Sequence, residues 1–556
     1  MRSKSPQIAE KIRERLGERV LAGVPQWQAP VLPAARSNAG ALLTGTLLGR
    51  LPAEDVNALV YSILLEQKAD GSWAVDCDGC GDLSLTLEVV EALSTCGDSS
   101  ARDALARAVS WLETHRRSGR LSAETLILLS AVTEVVPGPM RRFFMPLAKH
   151  YLLRGSRRLA QTHGGRVMPM ALSILARDKA TALGKGRRLI ELQLLDGSWE
   201  GSSRTTVFAL AALRHASVPP EDSAFERGWR FLRGLQVWDG EGLVQNPCDC
   251  SNLLHASALR TLSVSAADQD TTAGSTLSLL HQARTSGGWA LGAMLPTDLF
   301  TTALVLDALS FAGDIPVETS WARRRAALLL LRSQNSDGGW PLYFDPEASA
   351  LSRLTARHAQ SRLDVTSAVV QALAYSGVQE KGEAKAILRG VNYLMRCQER
   401  CGLWPGDIHG SQVFSTSRAL EALFAAGQEC AGGAVVKGVR ALVKRQQIDG
   451  GWSETATQLS APQHTAWALR ALNGVPGVET EVITRAKTYL ESSLDRSELL
   501  WNSRAAAWPL PLSEPPVVMS DLVTLWALEA LAPAGIAARS RLRGLARSRS
   551  IFDRSR

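Results

Sequence analysis

One short element, Gln-x-x-x-Gly-x-Trp, recurs along this chain with fixed internal spacing and restricts the fold more than any other feature. It appears as Gln67-Lys-Ala-Asp-Gly-Ser-Trp73, Gln193-Leu-Leu-Asp-Gly-Ser-Trp199 and Gln334-Asn-Ser-Asp-Gly-Gly-Trp340. It returns as Gln398-Glu-Arg-Cys-Gly-Leu-Trp404 and Gln446-Gln-Ile-Asp-Gly-Gly-Trp452. A form one residue longer runs from Gln282 to Trp289, and a decayed one begins at Gln236. Repetition at this fidelity marks a tandem structural unit. The flanks say what the unit is. Helical patterns precede the glutamine, as over 323–333 and 436–445, and the Asp-Gly pair supplies a tight turn. A second amphipathic helix follows, as over 301–312, 365–376, 415–426 and 464–473. Each unit is thus a helix–turn–helix hairpin unable to bury its apolar stripe alone, and stacked hairpins share a core in a closed or superhelical array. A catalytic role for every copy is implausible, so the Gln and Trp are read as structural: the indole packs on the preceding helix end, where the Gln amide bonds free backbone groups.

The chain has 556 residues, which suits two large domains. With 45% apolar and 21% charged residues it has a globular composition, and no run of about 18 apolar residues could span a bilayer. The first twenty residues are charged and lack a secretory signal's apolar stretch, so a cytoplasmic location is expected. The net charge of +8 is mostly local: 539–556 holds seven arginines against Asp553. A solvated, disordered tail over 538–556 is the favoured reading, with peripheral contact to acidic lipid headgroups as the alternative. Nothing here points to nucleic acid as a partner. The eight cysteines do not form a disulfide framework for so long a chain. Cys77 with Cys80 and Cys248 with Cys250 are spaced as metal pairs, but reduced thiols are preferred to a zinc site.

The repeat resembles the QW motif of squalene–hopene cyclases, oxidosqualene cyclases and bacterial class II diterpene cyclases. The likeness runs from about Pro25 to Leu531. Asp82-Leu-Ser-Leu-Thr-Leu-Glu88 is similar to the family segment after its first QW copy, Asp364-Val-Thr366 to its Asp-Val-Thr, and Pro462-Gln-His-Thr-Ala-Trp467 to its Pro-Ser-Gln-Thr-Ala-Trp. The resemblance implies an all-α fold of two α/α-barrel lobes in a βγ arrangement. Residues 1–24 and 265–556 would form the acid-bearing β lobe, and 25–264 the inserted γ lobe. It also implies an apolar cavity between the lobes, where an aspartic acid protonates an alkene or epoxide and a polyene cyclises through carbocations. Interdomain placement is usual for such pockets.

At the acid the sequence departs from this family. The family's Asp-x-Asp-Asp-Thr-Ala aligns with Asp298-Leu-Phe300-Thr301-Thr302-Ala303. Phe300 stands where the family has its proton donor and Thr301 where it has the last aspartate. Hopene-forming members support the acid with a histidine four residues after the Asp of Asp-Val-Thr; here that position is Ala368. Alkene protonation needs a strong, assisted carboxylic acid, so the inherited device is gone. The aromatic cavity lining expected for carbocations is thinned as well. Three of the family's tryptophan positions fall at Gly164, Cys250 and Ile408, while Tyr343 keeps a tyrosine; Trp289 and Trp404 are counted with the cavity.

Two catalytic candidates remain. Asp298 opens a helix, where the ionised carboxylate is favoured and capping suits it better than proton donation. Asp364 either donates a proton or caps the helix that follows. Arg353, Arg357 and Arg362, with His358, form a basic cluster that is a solvated loop or a diphosphate clamp. Initiation by ionising a diphosphate would bring in Mg²⁺; no Asp-Asp-x-x-Asp run occurs, and Asp76, Asp78 and Asp82 are the nearest ligand set, set against a plain acidic turn. Cys248-Asp249-Cys250 with His255 approaches the zinc set of the related protein prenyltransferases, but order and spacing differ. The expected activity is cyclisation of a linear prenyl diphosphate or polyprene by non-standard initiation, with no firm cofactor. The length, near that of two-lobed diterpene cyclases, leans toward C15 to C25 substrates. The alternative is an inactive isoprenoid-binding or accessory protein, since fold alone does not establish activity.

Overall fold

The computed structural model describes residues 10–16, 18, 34–75, 80–115, 121–135, 167–175, 179–239, 242–264, 269–292, 295, 297–312, 317–343, 360–378, 380–408, 410–427, 433–455, 458–497, 499–501 and 519–532. Arg353, Arg357, His358, Asp76, Asp78, Cys77, Gly164 and the tail from 538 lie outside them. The described chain is almost entirely helical, and none of its helices is long and apolar enough to cross a membrane.

The first half contains α1 (Ala35–Leu48), α2 (Ala53–Leu65), α3 (Leu83–Cys96), α4 (Arg102–His115), α5 (Ala123–Val135), α6 (Val167–Leu175), α7 (Lys179–Glu191), α8 (Ser203–His215) and α9 (Ser223–Gly234). The decayed copy at Gln236 becomes an antiparallel hairpin of β1 (Gln236–Asp239) and β2 (Gly242–Gln245). The second half contains α10 (Ser251–Val264), α11 (Gln269–His281), α12 (Leu299–Phe311), α13 (Val317–Arg332), α14 (Leu363–Ser376), α15 (Glu383–Cys397), α16 (Gln412–Ala425), α17 (Gly433–Lys444), α18 (Pro462–Leu472), α19 (Thr480–Ser493) and α20 (Ser520–Leu531).

The repeat chemistry is uniform. In five copies the Gln side chain donates to the turn glycine's carbonyl and to a carbonyl of the next outer helix, as Gln334 does to Gly338 at 2.9 Å and Ala386 at 2.8 Å. Each Trp indole N–H donates to the last turn of the preceding helix, as Trp340 does to Leu330 at 2.7 Å. Trp501, unmarked by a Gln element, repeats this contact with Leu490. The turn glycine has positive φ, 93° at Gly338, and a Cβ there would sit 2.6 Å from the Arg389 carbonyl oxygen. Only glycine lets the turn lie this close to the neighbouring helix.

After the turn the second helix goes inward. In the second half α10, α12, α14, α16, α18 and α20 pack in sequence, and α20 returns to α10, closing a ring of six. In the first half α1, α3, α5, α6 and α8 likewise close on one another. The inner helices were expected to be amphipathic, but they are buried nearly all round; every residue of α14 is buried. Outer helices cover one side and the barrel axis takes the other, leaving no solvent face. Outer helices keep the stripe, as in α15 with Ala386, Ile387, Gly390, Val391 and Leu394. Inner helices also begin about two residues earlier than the apolar pattern suggests, because Asp298 and Ser411 cap α12 and α16 and Pro462 opens α18.

Two apolar cores result. One joins residues from Ala35 to Leu243; the other joins Ile12 and Leu16 to residues from Cys248 to Ala530. Helix α10, placed in the inserted lobe by a sequence boundary at 264, packs against α11, α12 and α20 and belongs to the second core. The lobes touch near the inner helix starts: Ser203 N–H donates to Pro247 O at 2.7 Å, and Leu295 lies against Gly201.

Candidate active site on the axis of the second barrel

A threonine near the start of each inner helix fixes what that helix shows to the axis. Its hydroxyl oxygen accepts the backbone N–H of the repeat Trp: Trp289 to Thr302, Trp340 to Thr366, Trp404 to Thr416, Trp452 to Thr465 and Trp501 to Thr524, at 2.9 to 3.0 Å. The first lobe repeats the contact at Trp73–Thr86 and Trp199–Thr206. With helical register pinned, the positions two before, two after and five after the threonine fall on one face. On α12 these are Phe300, Leu304 and Asp307, all of which line an internal cavity. The cavity measures about 40 Å³. It is also lined by Phe414 and Arg418 of α16, Trp467 and Arg470 of α18, Trp526 and Glu529 of α20, and Leu253, Ser257 and Arg260 of α10. The same register puts Asp364, Ala368 and Gln371 of α14, Glu421 of α16 and Gln463 of α18 on the axial face.

The axis is therefore layered. Nearest the inner helix starts, and the first lobe, lie Leu253, Phe300, Asp364, Phe414, Gln463 and Leu522. Phe300 is buried on the axis where the family alignment puts the acid. Asp364, one helix over in the same layer, is the only carboxylate at that axial position among the described residues. It is fully buried, and the Ser415 hydroxyl donates to its Oδ1 at 2.6 Å. Asp364 lies in the first turn of α14 and is not its N-cap, which is Arg362. Its backbone N–H donates to Asp407 Oδ2 at 3.2 Å, and Asp407 ion-pairs with Arg362 at 2.6 Å, so the one described arginine of the expected diphosphate clamp is engaged.

Asp298 is an N-cap, its carboxylate accepting from Thr301 N–H at 2.6 Å. A helix start alone would lower its pKa; burial wins and pushes it up to about 7, against hydrogen bonds from Thr301. Its backbone bridges to Tyr343, whose phenol burial drives well above its usual range, with Asp298 and Cys248 adding to the rise. Ala368 lies one turn beneath Asp364, a methyl where the family has its histidine. His464 on α18 was singled out by no sequence signal beyond its motif. It is buried, has no partner for Nδ1, packs edge-on against Trp467, and is held neutral by burial, with a pKa near 4.

Other sequence candidates lie elsewhere. Trp289 and Trp404 sit between inner and outer helices, their indoles bonded to Leu279 and Leu394, and not on the axis. Ile408 is partly buried against the second core, and Cys250 is buried with its sulfur 3.6 Å from that of Cys248. Asp82 caps α3 and lies 3.6 Å from Arg36. Among the described residues no three His, Cys, Asp or Glu side chains converge as a metal site.

Deepest on the axis is a feature sequence reading missed, a buried to half-buried chain of six charges. Asp307 pairs with Arg260, and Arg260 Nε reaches Glu529 at 2.8 Å. Glu529 contacts Arg470 at 2.9 Å, Arg470 grips both oxygens of Glu421 at 2.5 and 2.9 Å, and Glu421 meets Arg418 at 3.1 Å. Burial would raise Glu529, but Arg470 and Arg260 outweigh it and hold the carboxyl near 2. Burial lowers Arg418 to about 10, only partly offset by Glu421. The signal was present: on α12, α14, α16, α18 and α20 the residue five past the threonine is Asp, Gln, Glu, Arg and Glu.

Residues 25–137 match the squalene–hopene cyclase N-terminal domain and 351–509 the squalene–hopene cyclase C-terminal domain. A probable squalene–hopene cyclase of Sinorhizobium fredii is 30% identical over 248 residues, 40% of this chain and 38% of that protein. The squalene–hopene cyclase of Alicyclobacillus acidocaldarius is 25% identical over 564 residues, 84% of this chain and 87% of that protein. The structure of ent-copalyl diphosphate synthase from Streptomyces platensis superposes with a TM-score of 0.63 at 20% identity, over 95% of this chain and 100% of that one, and so shares the fold. With both domain models, the repeat shell and the paired barrels in agreement, this chain belongs to the squalene–hopene cyclase-like family of class II terpene cyclases.

Proposed function

We propose that this protein cyclises a linear isoprenoid through carbocations and that Asp364, not the residue at the family's usual position, supplies the proton. The observation that carries this is the shared register of Asp364 and Phe300: each stands two residues before the threonine that pins its helix. The acid has moved to the neighbouring inner helix at the same depth. Ser415 supports it by donating to Oδ1, and the protonated carboxyl of Asp364 gives its proton to an alkene carbon. The carbocation then forms beside Phe300, Phe414 and Trp467, whose ring faces attract it. The acid-bearing lobe is 1–24 with 265–556, to which α10 is added, and 25–264 is otherwise the insert. The protein works in the cytoplasm with its basic tail solvated, contact with acidic lipid headgroups being the alternative for that tail. Mg²⁺ enters only with a diphosphate substrate, and no step is assigned to it.

The test offers purified full-length protein farnesyl and geranylgeranyl diphosphate, squalene and its epoxide, with and without Mg²⁺, and reads products by gas chromatography. Asp364→Asn is expected to lose roughly 10²-fold or more of turnover, and Asp298→Asn to retain most of it. Full activity in Asp364→Asn overturns the assignment. A second reading, an inactive isoprenoid-binding protein, is favoured by the paired changes at Phe300 and Ala368. Tight binding without product in every arm would establish it.

A further inference from the structure

The charges on the barrel axis alternate in sign, Asp307–Arg260–Glu529–Arg470–Glu421–Arg418, and the chain they form is open. Its interior members have partners on both sides. Its two ends do not: Asp307 Oδ1 is a buried acceptor with no hydrogen-bond partner, and Arg418 Nε a buried donor with none. Asp307 is 3% exposed and Arg418 4%, and both line the axial cavity. Between them around the ring comes α14, whose residue at this depth is Gln371, with a buried Oε1 that also has no partner. Orphaned polar atoms of this kind cost free energy unless something completes them.

What completes them must accept from Arg418 and donate to Asp307, and must carry no net charge, because three arginines already balance three carboxylates. A diphosphate only accepts and would meet the bare oxygen of Asp307. A hydrocarbon offers nothing. A hydroxyl does both. Above it the cavity walls are Phe300, Phe414, Trp467 and Trp526, which suit an apolar body. Its 40 Å³ holds about three water-sized groups, enough for a hydroxyl and its carbon but not for a whole chain.

We propose that the deep end of this axis is a binding site for a hydroxyl group carried on an isoprenoid, which accepts a hydrogen bond from Arg418 Nε and donates one to Asp307 Oδ1. This extends the cyclase reading by naming an alcohol as a ligand class; substrate and product alcohols share the chemistry.

Full-length protein is titrated with farnesol, farnesene and farnesyl diphosphate, following tryptophan fluorescence and thermal shift. Farnesol is expected to bind roughly ten- to a hundredfold more tightly than farnesene, as for hydrogen bonds to charged groups. Arg418→Gln is expected to erase that preference while leaving farnesene affinity unchanged, and Asp307→Asn to reduce it. The wild-type comparison alone decides the matter if the variants do not fold. Equal binding of farnesol and farnesene, a preference intact in Arg418→Gln, or ordered water that farnesol does not displace overturns the proposal. Binding or turnover of the hydrocarbon and diphosphate without alcohol preference would sink this site but not the cyclase reading; no binding of any probe would sink both.

Discussion

Ser415 Oγ, on α16, lies 2.6 Å from Asp364 Oδ1 on α14, so the hydroxyl of one inner helix is spent on the carboxylate of the next. A donor to the ionised form makes a carboxylic acid stronger. Ser415→Ala removes that donor without changing the helix. The variant should turn over roughly tenfold more slowly, and the pH at which activity falls through loss of the acid's proton should move upward. A pH–rate profile reads both; an unmoved limb would mean that Ser415 does not address the acid, or that the acid is not Asp364.

The raised pKa of Asp298 has a definite sign for stability. Its carboxyl sits at 3.8 when unfolded and about 7 when folded. The folded state therefore favours the protonated form; that contribution is complete below pH 3.8 and is lost as pH rises through 7. Asn keeps a capping oxygen and no charge. Asp298→Asn should consequently gain on wild type as pH climbs from 5 to 8, by on the order of 2–4 kcal/mol in full. Urea midpoints at the two pH values measure the gain, and a constant difference would refute it.

Thr302 is retained from the family motif for a reason unrelated to acid chemistry. Its oxygen, 3.0 Å from the Trp289 amide nitrogen, satisfies a buried donor. Thr302→Val conserves shape and leaves that N–H bare, at a cost of about 1–3 kcal/mol, while Thr302→Ser should cost less. Thr366→Val should behave alike through Trp340. Denaturant unfolding tests the pair.

Arg470 holds Glu421 and Glu529 together. Arg470→Met leaves Glu529 to Arg260 alone and Glu421 to Arg418 alone, with one negative charge in excess, and should destabilise by about 3–5 kcal/mol. Adding Glu421→Gln and Glu529→Gln should recover much of that loss. Failure of the triple variant to recover would show that packing, not uncompensated charge, sets the cost.

How far the fold could be read in advance follows from where its information lies. Turn, Gln and Trp are local, so the hairpins and their structural residues were legible from spacing. Helix starts were missed by two residues because capping at Asp298 and Ser411 lies outside the apolar pattern. The charge chain was missed because its partners are remote: Arg260 and Glu529 are 269 positions apart. No window of sequence joins them, yet counting five residues from each threonine would have placed four of the six on one level. The phenyl ring of Phe300 at the family's acid position is visible in the sequence itself; that Asp364 shares its depth needed the register of two helices fixed by Trp289 and Trp340.

The contact between Arg260 and Glu529 links the first inner helix of the second ring to its last. A ribosome extends the chain in one direction, so this ring cannot close until residue 529 has left the exit tunnel, long after the first lobe has everything it needs. Ile12 and Leu16, made at the very start, join the same core and must wait for it. Removing α20 should therefore leave a chain with one finished barrel, one unsealed, and an N-terminal segment without a berth.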